Sequence, residues 1–290
     1  MGGEVPAGRV LRHESDGDSW EFSFGRPAPY LRGHINSYCS YTERTSTFVR
    51  RRELPSDRVT MIINLGEPIR VRITEEESGW SEQAAGFVSG LSDRYALTET
   101  GGSQRGIEVN LTPIGAHLMF GFPMHELSNR VVTLEQMFGW RAELFRERVA
   151  EAPCASARFG LLDRFFGSRL EDARSPVPSV TRALGRLKQS GGTIPIEALA
   201  TEIGCSRRHL ALGFKEQIGL SPKLLGRILR FERAVSLIDS ARPVGWAEMA
   251  RSCGYFDQAH LIRDFKQFSG SPPEEFARRR LPDGGGVIGD

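Results

Sequence analysis

The sequence predicts an α+β chain of two domains. The N-terminal one is a β-barrel or roll with trailing helices, and the C-terminal one is all-α, two helix-turn-helix units joined by a long helix. Three observations carry this expectation. Short β-branched and aromatic runs fill residues 30–111, helical periodicity takes over after Pro113, and the chain repeats itself between Ile196 and Phe276. With 290 residues, 39% of them hydrophobic and 26% charged, it is long enough for two ordinary domains, each with its own core.

Residues 1–28 are rich in Gly, Asp and Ser and show little periodicity, so a loose start with one short strand is expected. HINSYCSY, VTMIINL, IRVRIT, AGFVSGL and GIEVNL follow, each bounded by turn residues. Ile69, Val71 and Ile73 alternate with Arg70, Arg72 and Thr74, and Ile107, Val109 and Leu111 alternate with Glu108 and Asn110. That period of two marks strands with one apolar face, and several in so short a span suit a small barrel or double-sheet roll. Arg50, Arg51 and Arg52 read as a solvated loop. After Pro113, IGAHLMFG, TLEQMFG and WRAELFRERVAEA read as short helices and ASARFGLLDRFFGSRLEDA as a longer one. In the last, Phe159, Leu162, Phe166 and Leu170 belong to an apolar stripe that suits a core face or a dimer seam. Pro176 and Pro178 then break the chain before a helix that Ser179 is expected to cap and Gly191–Gly192 to end.

The repeat comes next. Ala200, Gly204 and Pro222 match Ala250, Gly254 and Pro272 at an offset of fifty, while His209, Leu210, Phe214 and Lys215 match His260, Leu261, Phe265 and Lys266 at fifty-one. In each copy a small alanine allows close helix crossing and a glycine supplies the turn. Ser206 and Asp257 are the expected N-caps of the second helices. Leu210 with Phe214, and Leu261 with Phe265, lie at i and i+4 on an inner face. The outer faces then carry Arg207, Arg208 and Lys215, and in the second copy Gln258, His260, Arg263 and Lys266. Arginine and glutamine pair bidentately with guanine and adenine edges in a major groove. Between the copies, Pro222 opens a helix running to about Ser240. Its length of roughly 30 Å at about 1.5 Å per residue is near the roughly 34 Å between successive major-groove faces.

These residues resemble the AraC/XylS family of bacterial transcription regulators. The resemblance runs from Pro178 to Arg280 through Gly219–Lys223, Arg227–Phe231, Gly254–Phe265 and Gly270–Phe276. It implies a DNA-binding domain at 178–290 whose recognition residues are Ser206, Arg207, Arg208, Lys215, Asp257, Gln258, His260, Arg263 and Lys266. It also implies a cupin-like sensor or regulatory domain at 1–141, echoed in Met61–Gly66 and Thr112–Gly115, and a helical linker and dimerisation segment at 142–177. The implied partners are double-stranded DNA, RNA polymerase, a small-molecule effector and a second copy of the chain. Ala211 and Leu212 depart from the family's polar pattern, which points the first unit towards a thymine methyl or DNA shape.

Charge agrees with this division. Residues 178–290 hold 17 Lys and Arg against 12 Asp and Glu, and the rest of the chain 21 against 24. No apolar run is long enough for a membrane span and no secretory leader is evident, so a cytoplasmic protein is expected. Cys39, Cys154, Cys205 and Cys253 are scattered, and His13, His34, His117 and His125 lack His-x-His spacing, so no metal or cofactor is expected. No nucleophile–base arrangement or phosphate-binding loop appears, which argues against an enzyme. The alternative is an enzyme or repair-type protein with a fused DNA-targeting unit, which would use clustered cysteines on zinc. Tyr38, Tyr41, Trp80 and Phe87 are the candidate lining of an apolar effector pocket in the barrel. Arg278–Arg280 are candidate phosphate contacts.

Overall fold

A computed structural model describes residues 8–15, 17–46, 49–73, 79–239, 245–279 and 287–288. The expected strand residue Thr74, the expected helix end Ser240 and the candidate phosphate contact Arg280 lie outside them.

The β-rich part comprises β1 (Val10–Glu14), β2 (Ser19–Gly25), β3 (Ile35–Arg44), β4 (Val49–Glu53), β5 (Val59–Asn64), β6 (Ile69–Ile73), β7 (Ser81–Gln83), β8 (Gly86–Ser89), β9 (Ala96–Thr100), β10 (Ser103–Leu111), β11 (Val131–Thr133) and the short β12 (Val287–Ile288). They form two antiparallel sheets, ordered β1-β2-β3-β10-β5-β8-β11 and β12-β4-β9-β6-β7. Register places Tyr38, Val109, Met61 and Val88 side by side on one face of the larger sheet. All four are buried in the main core. The opposite face presents Ile62 and Phe87, which meet Ile69 and Val71 of the smaller sheet.

Two sequence expectations change here. The start of the chain is a paired β1–β2 ribbon, along which Trp20, Phe22 and Phe24 form a run of neighbouring rings on one face, at 5.2 and 6.5 Å. The three consecutive arginines belong to β4 and are not a solvated loop. Arg50 bonds Glu99 at 2.8 Å, Arg51 pairs with Glu43, and Arg52 is buried.

Four helices follow: α1 (Pro113–Phe120), α2 (Leu134–Phe138), α3 (Arg141–Glu151) and α4 (Ala155–Glu171). The α4 stripe is turned inward: Leu162 and Phe166 are fully buried in the chain's own core. Asp163 of α4 accepts from the Tyr38 hydroxyl at 2.9 Å, tying this helix to the larger sheet. The all-helical part holds α5 (Pro178–Gln189), α6 (Ile196–Ile203), α7 (Arg207–Gln217), α8 (Pro222–Asp239), α9 (Trp246–Ser252), α10 (Gln258–Ser269) and α11 (Pro273–Arg278). α5 begins one residue before the expected cap: Pro178 occupies the first turn, where its missing N–H costs nothing, and Val177 precedes it.

The helical part sits against the β-rich part through an ionic cluster. Lys188 of α5 lies 2.6 Å from Asp57, and Arg58 lies 3.7 Å from Glu232 of α8. Burial, and then the charge of Asp57, push Glu232 up to about 7, against the opposing pull of Arg58 and Lys188. Because the folded state holds a proton that the unfolded carboxyl releases above its ordinary 4.5, this contribution to stability is complete at low pH and lost as pH rises through about 7. The melting temperature of the parent chain is therefore expected to fall between roughly pH 5 and pH 7.5 by more than that of Glu232→Gln. Parallel pH profiles for the two proteins would contradict the assignment.

Candidate nucleic-acid interface

The two helix-turn-helix units repeat in backbone as well as in sequence. In each, the turn glycine takes a left-handed conformation, φ +79° at Gly204 and +78° at Gly254. The residue after it returns its N–H to the small alanine, Cys205 to Ala200 at 3.0 Å and Tyr255 to Ala250 at 2.8 Å. Ser206 then accepts from the His209 amide at 3.1 Å and Asp257 from the His260 amide at 2.7 Å. Each cap satisfies one of the free amides at a helix start. Leu210, Phe214, Leu261 and Phe265 are buried, as the spacing predicts.

With those four residues turned inward, the opposite faces of α7 and α10 are exposed. α7 presents Arg207, Arg208, Ala211, Leu212 and Lys215, and α10 presents Gln258, Arg263 and Lys266. Arg208, Lys215, Gln258, Arg263 and Lys266 make no side-chain hydrogen bond or ion pair among the described residues, so their donors are available to a partner. Arg207 differs, being paired with the exposed Glu197. His260 is half-buried and meets the Tyr255 ring edge-on at 5.2 Å, so it stands out less than its neighbours. Phe256, in the turn before α10, is 92% exposed. Sequence reasoning passed over it; its position next to a cap residue, outside the i, i+4 pattern, was the available signal.

The opposite ends of both recognition helices are anchored. Ser128 donates to the Gly219 carbonyl just beyond α7 at 2.8 Å. Arg52 donates to the Ser269 carbonyl at the end of α10 at 2.9 Å, and Gln267 reaches the Asp93 carbonyl at 3.4 Å. A further clamp comes from α8, where Arg227 bonds the buried Asp264 at 2.7 Å and Gln267 at 2.6 Å. The caps and helix N-termini stay in solvent, where partial positive charge and free amides suit phosphate.

The four candidate effector residues are placed apart. Tyr38 is buried against α4, and its ring stacks on Phe159 at 5.5 Å. Tyr41 lies three residues along the same strand and so on the other face. Phe87 sits in the small cluster between the sheets, and Trp80 lies under Arg50, Arg70 and Arg72. The space between the sheets is also more polar than the apolar pocket expected from sequence. It holds the Glu43–Arg51 pair, which joins β3 of one sheet to β4 of the other. The four cysteines are free. Among the described residues, no group of three or more His, Cys, Asp or Glu side chains is arranged to hold a metal ion, and no helix is long and apolar enough to cross a membrane.

A family model described as a helix-turn-helix domain matches residues 199–279, and one described as a domain of unknown function (DUF6597) matches residues 24–133. No curated protein matches the chain. Among solved structures, ToxT from Vibrio cholerae is 12% identical over 83% of this chain and 98% of its own, with a TM-score of 0.48. The C-terminal domain of AraT, a response regulator from Geobacillus stearothermophilus, is 25% identical over 37% of this chain and 90% of its own, with a TM-score of 0.35. The AraC-like transcriptional activator CuxR is 14% identical over 80% of this chain and 85% of its own, with a TM-score of 0.32. The chain thus carries a helix-turn-helix domain at 199–279, and the second unit of the repeat lies wholly inside it.

Two kinds of substitution separate the caps from the clamp. Asp264→Ala removes the buried carboxylate that holds Arg227 and is expected to lower the unfolding free energy of the helical part by about 1.5–3 kcal/mol. Ser206→Ala or Asp257→Ala is expected to cost only about 1 kcal/mol. Urea denaturation followed by circular dichroism ranks them, and a smaller effect at Asp264 than at the caps would contradict the clamp.

Proposed function

We propose that this chain is a sequence-specific regulator of transcription that binds double-stranded DNA with both helix-turn-helix units. The carrying observation is the pairing of two capped, outward-facing recognition helices on one rigid connector. Arg208 and Lys215 on the first helix, and Gln258 and Arg263 on the second, are the side chains assigned to the grooves. Ser206 and Asp257 set the helix N-termini towards phosphate, with Arg207, Lys266 and the half-buried His260 at the margins. In this reading the chain is an AraC-type bacterial regulator of the cytoplasm, and its cupin-like β-rich part takes a small effector, pairs two copies, or does both. RNA polymerase is the further partner of such a regulator. The exposed, uncharged Ala211–Leu212 step favours specificity weighted towards the second unit.

Selection of bound duplexes from random sequence is expected to return a bipartite motif with half-sites about 10 base pairs apart. On that duplex Arg263→Ala is expected to weaken binding by about 1–3 kcal/mol, with a smaller loss on random DNA. Equal losses would make Arg263 a phosphate contact. Failure to enrich any motif would overturn the proposed function.

A further inference from the structure

Outside the two sheets, α1, α3 and α4 line an open cleft of about 990 Å³ that the exposed Glu216 of α7 also borders. The volume lies at the upper end of the roughly 300–1,000 Å³ usual for small-molecule sites. Its floor is aromatic. Phe145 and Phe165 stack at 4.4 Å, Phe120 lies beside them, and Phe138 backs Phe165 edge-on at 5.4 Å. At its rim Trp140 is 74% and Leu144 49% exposed, large apolar side chains left open to water beside that floor.

The charge lining this cleft is unbalanced. Arg141, Arg148, Arg169 and Arg174 all line it, against the carboxylates of Asp172 and Glu216. None of the six takes part in an ion pair among the described residues. Arg169 is the inner one: half-buried, it lies 4.6 Å over the Phe138 ring and 5.1 Å over Phe165, and its hydrogen bond goes to the Met119 carbonyl at 3.2 Å. Burial and the charge of Arg141 pull its guanidinium below the ordinary value. A cation held against aromatic rings, with a carbonyl and no carboxylate beside it, is under-neutralised.

We propose that this cleft is a binding site for an organic anion with a flat aromatic body and one carboxylate, sulfonate or phosphate group. The body stacks on Trp140 and the open face of Phe145, with the edge of Phe165 beneath it. The anionic group takes the forked donors of Arg169 and Arg141, whose planar guanidiniums match a two-oxygen acceptor. Arg148 and Arg174 supply further positive potential at the mouth. The site is separate from the space between the sheets, and its existence does not depend on the DNA-binding reading.

The test uses the full chain and two fluorescent probes of one shape, anilinonaphthalene sulfonate and the uncharged N-phenylnaphthylamine. The expected result is one saturable sulfonate site per chain, at least about tenfold tighter than the neutral probe. Filling it should quench a tryptophan signal that Trp140→Phe removes. Arg141→Gln with Arg148→Gln, both exposed positions, should weaken the sulfonate about tenfold and leave the neutral probe unchanged. Arg164→Gln, on α4 outside the cleft, should change neither. Melting curves of the variants that overlay the parent's exclude misfolding as the cause. Equal binding of both probes, loss of neither on arginine replacement, or no saturable site would each overturn the proposal. A dimer that covers Trp140 and excludes the probe would overturn it as well.

Discussion

The interaction on which the rest depends is the burial of α8 between the two helix-turn-helix units. Leu225, Ile228, Phe231 and Ala234 form one fully buried stripe along it, and Phe231 meets Phe265 at 4.9 Å and Phe268 at 5.2 Å. Leu225, Ile228 and Phe231 each contribute roughly 1.5–3 kcal/mol when removed from water, and the small Ala234 completes the stripe that holds α8 in place. Polar contacts then fix its register. Arg227 grips Asp264 of the second unit, and Arg230 donates to the Gly192 carbonyl on the side of the first. The 18 residues of α8 span about 27 Å at roughly 1.5 Å each. A connector of this kind turns two small domains into one ruler. The separation of α7 and α10 is a property of packing and not of a linker's average length.

The same architecture gives each recognition helix a fixed end and a free end. Ser128 and Arg52, both from the β-rich part, bind carbonyls just past or at the last turns of α7 and α10. Carbonyl groups at helix ends lack internal partners, so these contacts satisfy groups that would otherwise face the domain boundary unpaired. The starts of both helices, with their amides and caps, are left to solvent. Any rearrangement of the β-rich part that moved Arg52 or Ser128 would act on the recognition helices directly. The cluster of Asp57, Arg58, Lys188 and Glu232 lies along this boundary. Since two carboxyls there face two cations in partial burial, its strength depends on protonation as well as on shape.

The helical third was legible because its chemistry is local. The turn glycines, the caps and the i, i+4 apolar pairs each act over a few residues, and they recur at an offset that exposes them. The alternation in β6 and β10 was legible for the same reason. What escaped depends on partners far away in the chain. Arg50–Arg52 looked like a charged loop because the carboxylates that balance two of them, Glu99 and Glu43, come from other strands. The third, Arg52, is buried with its bond to Ser269, a partner more than two hundred residues on. Tyr38 looked like a pocket residue until Asp163 of α4 took its hydroxyl. The arginine-lined cleft could not be read at all, since α1, α3 and α4 acquire a shared concave face only through their packing on the larger sheet.

The central claim is that the two recognition helices act as one rigid pair, and DNA phasing tests it most directly. Binding to a selected operator would be measured with the half-sites at native spacing, then with about five and about ten base pairs inserted between them, half a helical turn and one full turn. A rigid pair is expected to lose affinity on both insertions, because α8 spans only one turn, and to fall to the affinity of a single half-site. Binding retained on the five-base-pair insertion would contradict the account. It would show that the units reach the DNA independently and that α8 does not set their spacing.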